Sequence, residues 1–258
     1  MQPSLFVSHG SPMIMFEPGP ARTFLAGLAG QVERPDAILM ISAHHDMAGA
    51  VVTAGEAPST IHDFGGFPQA LFDLTYPAAG SPALAADVAL LLRARGVPVA
   101  LDTERGFDHG AWVPLMLGWP DAQVPVVQLS ISSAHAPDWH FRLGALLKPL
   151  RARNVLIIGS GSLTHNLREI VLTGGDHDAA VPEWVAAFSD WIAARIAAGD
   201  VDALLHVHER APHVRRNHPT MDHLLPLYTA MGAGGAHAER LHHSYTYGVL
   251  AMDAYRFD

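Results

Sequence analysis

"AILMISAHH", residues 37–45, is a run of apolar residues closing on Ser42 and followed by two histidines. Its length and its unbroken hydrophobicity fit a strand buried on both faces, since a strand with one wet face alternates apolar and polar residues. Three other segments share the pattern: "SLFVS" (4–8), "VPVVQLSI" (124–131) and "VLIIGS" (155–160). The amphipathic stretches between them predict helices over 20–32, 81–96 and 136–153, with others at 182–198 and 219–231 and a last strand at 246–252. In 81–96, Pro82 near the start and Gly96 just past the end follow the usual asymmetry of helix termini. Strands alternating with helices define an α/β protein with a central, largely parallel sheet flanked by helices. No repeat, linker or low-complexity tract divides the chain, so one domain over 1–258 is expected. Residues 55–80, rich in Pro, Gly and aromatics, are too long for an ordinary connection and read as a functional loop or lid.

Composition narrows the chemistry. Hydrophobic residues make up 49% and charged residues 16% of the 258, against about 25% charged in an average globular protein. That balance argues for a compact soluble domain and against disorder. No apolar run approaches the roughly 18 residues of a membrane span, and no basic segment leads into an apolar one at the N-terminus. The expectation is a cytoplasmic protein without a membrane partner. A net charge of −9 and a single lysine, Lys148, leave no basic stripe for a nucleic acid. There is no cysteine, which removes disulfides, thiolate metal sites and cysteine nucleophiles. Histidine stands out at 17 residues, against 16 for Lys and Arg together. Any transition-metal site must therefore use imidazole and carboxylate.

Position picks out the histidines that matter. Ligands of open α/β sheets collect outside the carboxyl ends of the strands. "SLFVSH" delivers His9 there, "AILMISAHH" delivers His44 and His45, and "VLIIGSGSLTH" delivers His165. In a parallel sheet these share one edge. Which of His44 and His45 enters the site is left open by the strand itself, because a strand buried on both faces has no polar side. "RGFDHGAW" (105–112) sets Asp108 and His109 between glycines that permit close backbone approach. "RRNHPTMDHLLPL" (215–227) is read as opening a helix at Pro219, with Asp222 and His223 near its start. The helix dipole there disfavours imidazolium and keeps His223 able to bind a metal. His218, just before the proline, is a second candidate. "GSGSL" (159–163) lacks the glycines and lysine of a phosphate loop, and its serines sit at the wrong offsets for a nucleophile elbow.

Seven blocks, "SHGSP", "ISAHH", "TIHDFGGFPQALFDLTYPAAGSPALA", "GFDHGAWVPL", "VPVVQLSI", "GSGSLTHNLR" and "HPTMDHLLPL", resemble in this order the class III extradiol ring-cleavage dioxygenases, the LigB-like family. The likeness is nearest to the 4,5-DOPA extradiol dioxygenase branch and covers nearly the whole chain. It implies a single α/β domain with a non-haem metal at the carboxyl edge of the strands. The implied ligands are His9, His44 and His223, with His44 preferred to His45 because the family motif reads Ser-Ala-His. His165 matches an acid/base histidine that can also approach a zinc ion, and His109 a further site histidine. The loop carrying His62, Asp63 and Phe64 would cover the substrate ring. Relatives that cleave protocatechuate complete the metal set with Glu, where His223 stands here. The metal is thereby left open between Fe2+, the expected active ion, and Zn2+. The implied reaction joins a catechol and O2 on ferrous iron and opens the ring outside the diol, with His165 taking a catechol proton and returning one during O–O cleavage. A pKa near neutrality would suit that role. Rival readings are a zinc hydrolase on the same imidazoles and a non-catalytic metal-binding relative. The sequence is compatible with a homo-oligomer.

Overall fold

The computed structural model describes residues 1–172, 174–235 and 237–258. Eight strands form one sheet in the order β4-β3-β5-β2-β6-β1-β10-β7. The four central strands are β1 (Ser4–Ser8), β2 (Ala37–Asp46), β5 (Val126–Ile131) and β6 (Val155–Gly161), all mutually parallel. β3 (Ala50–Thr53) runs antiparallel to β5 and parallel to β4 (Val99–Asp102), while β7 (Ala238–His242) and β10 (Ala254–Phe257) close the other side in antiparallel fashion. A separate two-stranded ribbon pairs β8 (Tyr245–Thr246) with β9 (Leu250–Ala251). This is a single α/β domain with a mostly parallel sheet between helical layers. No helix of the described residues is long and apolar enough to cross a membrane.

The continuous hydrophobicity of the central strands has a direct cause, because each faces two cores. Leu5, Val7, Ile38, Met40, Leu156 and Ile158 pack on one side with Leu25, Trp112 and Leu115 of the helices Pro20–Ala26 and His109–Gly118. Phe6, Leu39, Ile41 and Ile157 pack on the other with residues of the helices Pro82–Arg93, Pro137–Leu147, Glu183–Ala197 and Leu225–Ala233. Burial of these side chains, at about 1.5–3 kcal/mol each, makes the four-strand block the rigid part of the molecule.

Three expectations are corrected. The last strand expected at 246–252 is instead the ribbon β8–β9 and the sheet strand β10. The helix expected from 219 begins at Leu225, with Pro226 in its first turn in place of Pro219. Residues 55–80 are no free lid: Phe107 donates to the Ser59 carbonyl and Ile61 to the Phe107 carbonyl, each at 2.7 Å, and the Trp112 indole donates to Ile61. Short strands β4 and β7 escaped sequence reading because they are partly exposed and lack the apolar run, and β3, although mostly buried, because it is only four residues long.

Gly161 shows how the sheet meets the segment before the last helix. A Cβ there would lie 2.1 Å from the His223 carbonyl oxygen, and that same oxygen accepts from Ser162 N–H at 2.9 Å. Gly161→Ala is expected to cost about 1–3 kcal/mol through forced backbone movement. Urea denaturation checks this, and an unchanged midpoint would remove Gly161 from the account.

Candidate metal centre and cleft

β1, β6 and β2 are neighbours, so their carboxyl ends open onto one place. Each delivers its histidine by a different device. His9 follows β1 directly, its N–H bonded to the Gly161 carbonyl at 2.9 Å, and Gly10 turns the chain away at φ +67°. His44 leaves β2 at a bulge: Ser42 pairs with Ser130 and Asp46 with Ile131, so Ala43, His44 and His45 have no counterpart on β5. Bulges re-aim side chains beside functional sites. Here the bulge turns His44 into the cleft and His45 into the protein, where it is 1% exposed and neither ring nitrogen has a hydrogen-bond partner among the described residues. His223 lies in the turn preceding the helix Leu225–Ala233, clamped against β6 through its carbonyl.

His9, His44 and His223 offer ring nitrogens that all lie within 4.8 Å of one another. Hydrogen bonds dictate which nitrogens these are. Ser160 Oγ gives its only proton to the Gly110 carbonyl at 2.5 Å, so at 3.0 Å from His9 Nδ1 it must accept, placing the His9 proton on Nδ1. Asp63 Oδ2 stands 3.5 Å from His44 Nδ1, and Asp222 Oδ2 accepts from His223 Nδ1. The Nδ1 protons of His9 and His223 are thus committed to acceptors, and Nδ1 of His44 faces the Asp63 carboxylate. His9 Nε2 and His44 Nε2 lie 3.2 Å apart, within hydrogen-bond reach of each other. With the His44 proton on Nδ1, towards Asp63, both Nε2 lone pairs are free for one cation, so this donor set fits a divalent metal.

Electrostatics agree with that reading. Burial, then the neighbouring His44, holds His9 well below its ordinary value. Burial and His109 lower His44 to about 4, and burial lowers His223 to about 4 despite Asp222. Burial works against ionisation of Asp63 and Asp222, yet hydrogen bonds from His109 and His223 hold both below the usual carboxylate range. Neutral imidazoles within a ring of ionised carboxylates are a receptive cation site.

The remaining expected residues take distinct places. His165 stacks flat on His223, ring centroids 3.4 Å apart at 6°, with its N–H on the Asn217 carbonyl. Burial and His223 lower it to about 3, so the ring stands neutral. His109 opens its helix behind the N-cap Asp108, with its Nδ1 donating to Asp63 Oδ1 at 2.8 Å and its backbone N–H to the same oxygen at 3.0 Å. Asp63 thus orients His44 and His109 together, and Phe64 lies edge-on to His109 at 5.6 Å. His62 is turned away, donating to the Leu74 carbonyl at 2.9 Å among Phe64, Phe72 and Trp112. His218 donates to the Leu163 carbonyl, and Asp108 is buried, receiving Ser42, Gln128 and Arg105. The histidines floor a cleft of about 740 Å³ whose walls include Ser11, Phe67, Leu167, Val171, Tyr247 and Leu250. Sequence reasoning missed these walls, along with Ser160 and the orienting role of Asp222. Asp222 lies not near a helix start but in the turn that replaces it, and there it reaches the ring of its neighbour.

Two tests follow from this geometry. Below about pH 6.5 the unfolded chain protonates histidines that the folded chain holds neutral down to about 3–4, so the unfolded state binds more protons and stability falls as pH drops through this window. Melting curves of chelator-treated protein check this, with a falling Tm from pH 6.5 towards 4 expected and a flat profile refuting it. Ser160→Ala frees the His9 tautomer and is expected to weaken Zn2+ binding about 10–100-fold in competition titrations, with the fold retained by circular dichroism.

The model for the catalytic LigB subunit of aromatic ring-opening dioxygenase matches residues 4–258. The chain is 39% identical to "4,5-DOPA dioxygenase extradiol" of Beta vulgaris, over 98% of this chain and 96% of the relative. It is 42% identical to the protein of the same name from Escherichia coli (strain K12), over 90% of this chain and 84% of that one. The crystal structure of an uncharacterized protein from Escherichia coli K12 superposes with a TM-score of 0.82 at 32% identity, covering 100% of both chains. The chain belongs to the LigB family and is an extradiol ring-opening dioxygenase.

Proposed function

We propose that this chain opens a catechol ring, DOPA or a related catechol, at a bond outside the diol, with Fe2+ held by Nε2 of His9, His44 and His223. The observation that carries the reading is the convergence of three imidazoles whose ring nitrogens lie within 4.8 Å of one another, with Nδ1 of His9 and His223 bonded to Ser160 and Asp222 and Nδ1 of His44 facing Asp63. When bound, ferrous iron supplies a common site for the catechol oxygens and O2 and a path for ring electrons to reach O2. The protein's own groups do the rest. His165, neutral and stacked beside the ligand set, accepts a proton from a catechol hydroxyl and returns it to an oxygen of the opening ring. His109, its Nδ1 proton fixed on Asp63, keeps Nε2 as an acceptor for substrate. Phe64, held in a pinned wall, shields the ring from water. Both O2 atoms enter the product, a muconic semialdehyde-type chain.

Zinc binding is also supported by one specific feature. His165, Asp222 and His223 form a second group of donors within 4.8 Å of one another, so His165 can join a Zn2+ ion as an added ligand. Such an ion would occupy the acid/base group and leave the ring chemistry idle.

The deciding experiment loads chelated protein with Fe2+ without air, adds a panel of catechols including DOPA, and admits O2. A yellow product with uptake of both oxygen atoms is expected from the Fe2+ form and none from the Zn2+ form. Silence across the panel defeats the proposal. His165→Ala is expected to lose at least about 10²-fold in kcat while binding iron, whereas His9→Ala loses the iron itself. Metal analysis of both variants separates the two roles.

A further inference from the structure

The cleft runs well past the histidines. Its volume of about 740 Å³ sits high in the range of roughly 300–1,000 Å³ that holds a drug-sized ligand, more than a single ring with two hydroxyls fills. Its lining is divided in chemistry. One part of its lining carries the five histidines with Asp63 and Asp222, and the rest is apolar, from buried Leu250 through Phe64, Phe67 and Tyr247 to the exposed Leu167 and Val171 at the rim. Leu167 and Val171 stand on the helix Leu167–Leu172, which buries none of its residues, and they are 55% and 78% exposed. Apolar side chains kept open at the rim of a cavity mark a contact surface for an apolar ligand. Among the described residues that line the cleft there is no Lys or Arg, so its only formal charges are the two carboxylates.

The geometry points to a substituent subsite without a cationic partner: a catechol carrying a neutral alkyl, aryl or ester substituent is preferred to one whose substituent has a net negative charge. The inference rests on the ring-opening reading above for placing the diol at the histidines. With the diol there, the substituent is directed outward between the Phe64–Phe67 wall and the Leu167–Val171 helix. A carboxylate in that position gives up hydration against apolar walls with no cation to receive it. The nearby cation to be tested is Arg168, exposed and adjacent to Leu167 but not part of the cleft wall.

The test compares 3,4-dihydroxybenzoate with its methyl ester, a pair that differs chiefly in the substituent charge. Calorimetric titration of the Fe2+-loaded enzyme under nitrogen gives Kd for each, and admission of O2 gives kcat/KM. The ester is expected to bind at least about tenfold more tightly. Val171→Lys, at an exposed position that does not threaten folding, is expected to bring the two within about threefold. Arg168→Ala is expected to leave the ratio unchanged. The inference is overturned by an acid that binds as well as the ester, by binding of neither, by an unchanged ratio in Val171→Lys, or by acid binding that depends on Arg168. If both compounds bind in the expected ratio but neither ring opens, the ring-opening proposal fails and the subsite stands. If the acid is opened preferentially, the subsite fails and the ring-opening proposal stands.

Discussion

The 3.2 Å approach of His9 Nε2 to His44 Nε2 sets the terms for everything around it. With both protons on Nδ1 the two lone pairs face each other at an unfavourable distance, and protonating one ring is opposed by burial and by the neighbouring imidazoles. The arrangement persists because each ring is fixed from behind. Ser160 is itself held by the Gly110 carbonyl, and Asp63 is held by two donors from His109. The cluster is thus a region of stored electrostatic cost, with a cation as its natural relief. Rigidity in the outer partners is what keeps the rings from rotating apart.

That rigidity comes from the sheet. Ser160 and Gly161 end β6, Ser42 ends the regular part of β2, and Ser8 ends β1, all in one contiguous parallel block packed on both faces. The wall carrying Asp63 is joined to the same block: its parallel bridge to Phe107 lies beside the Asp108 cap, and Asp108 accepts from Ser42 of β2 and Gln128 of β5. A displacement of one strand would part a histidine from its proton acceptor, because His9 follows β1 while Ser160 stands on β6. This arrangement couples fold stability to site geometry more tightly than a site built on free loops would.

Much of this was legible in the sequence, for a physical reason. Strands buried on both faces must be continuously apolar, so β1, β2, β5 and β6 announced themselves, and the rule for open sheets then placed His9, His165 and one of the two adjacent histidines at a common edge. What stayed hidden depends on pairings between distant residues. The choice of His44 over His45 is made by three unpaired residues opposite β5, which no local pattern reveals, and came only from the family motif. The partnership of Asp63 with His109 spans 46 residues and that of His9 with Ser160 spans 151. Pro219 resembled a helix start, but Pro226, only seven residues on, competes for that role, and the preceding turn is held by the contact of His223 with Gly161.

The donor set also explains how one cleft can treat two ends of a substrate differently. Three neutral imidazoles leave a divalent ion its full charge at the point of contact, whereas a carboxylate ligand would cancel part of it. The negative charge of Asp63 and Asp222 is moved to the far side of the rings, where it strengthens the imidazoles as donors without touching the ion. The inner end therefore favours a deprotonated diol. The outer end, walled by Phe67, Leu167 and Val171, provides no such compensation for charge. On the proposed reading, a molecule anionic at one end and apolar at the other would be aligned by this gradient before any specific hydrogen bond formed, with its diol towards His9, His44 and His223 and its substituent towards the helix at the rim.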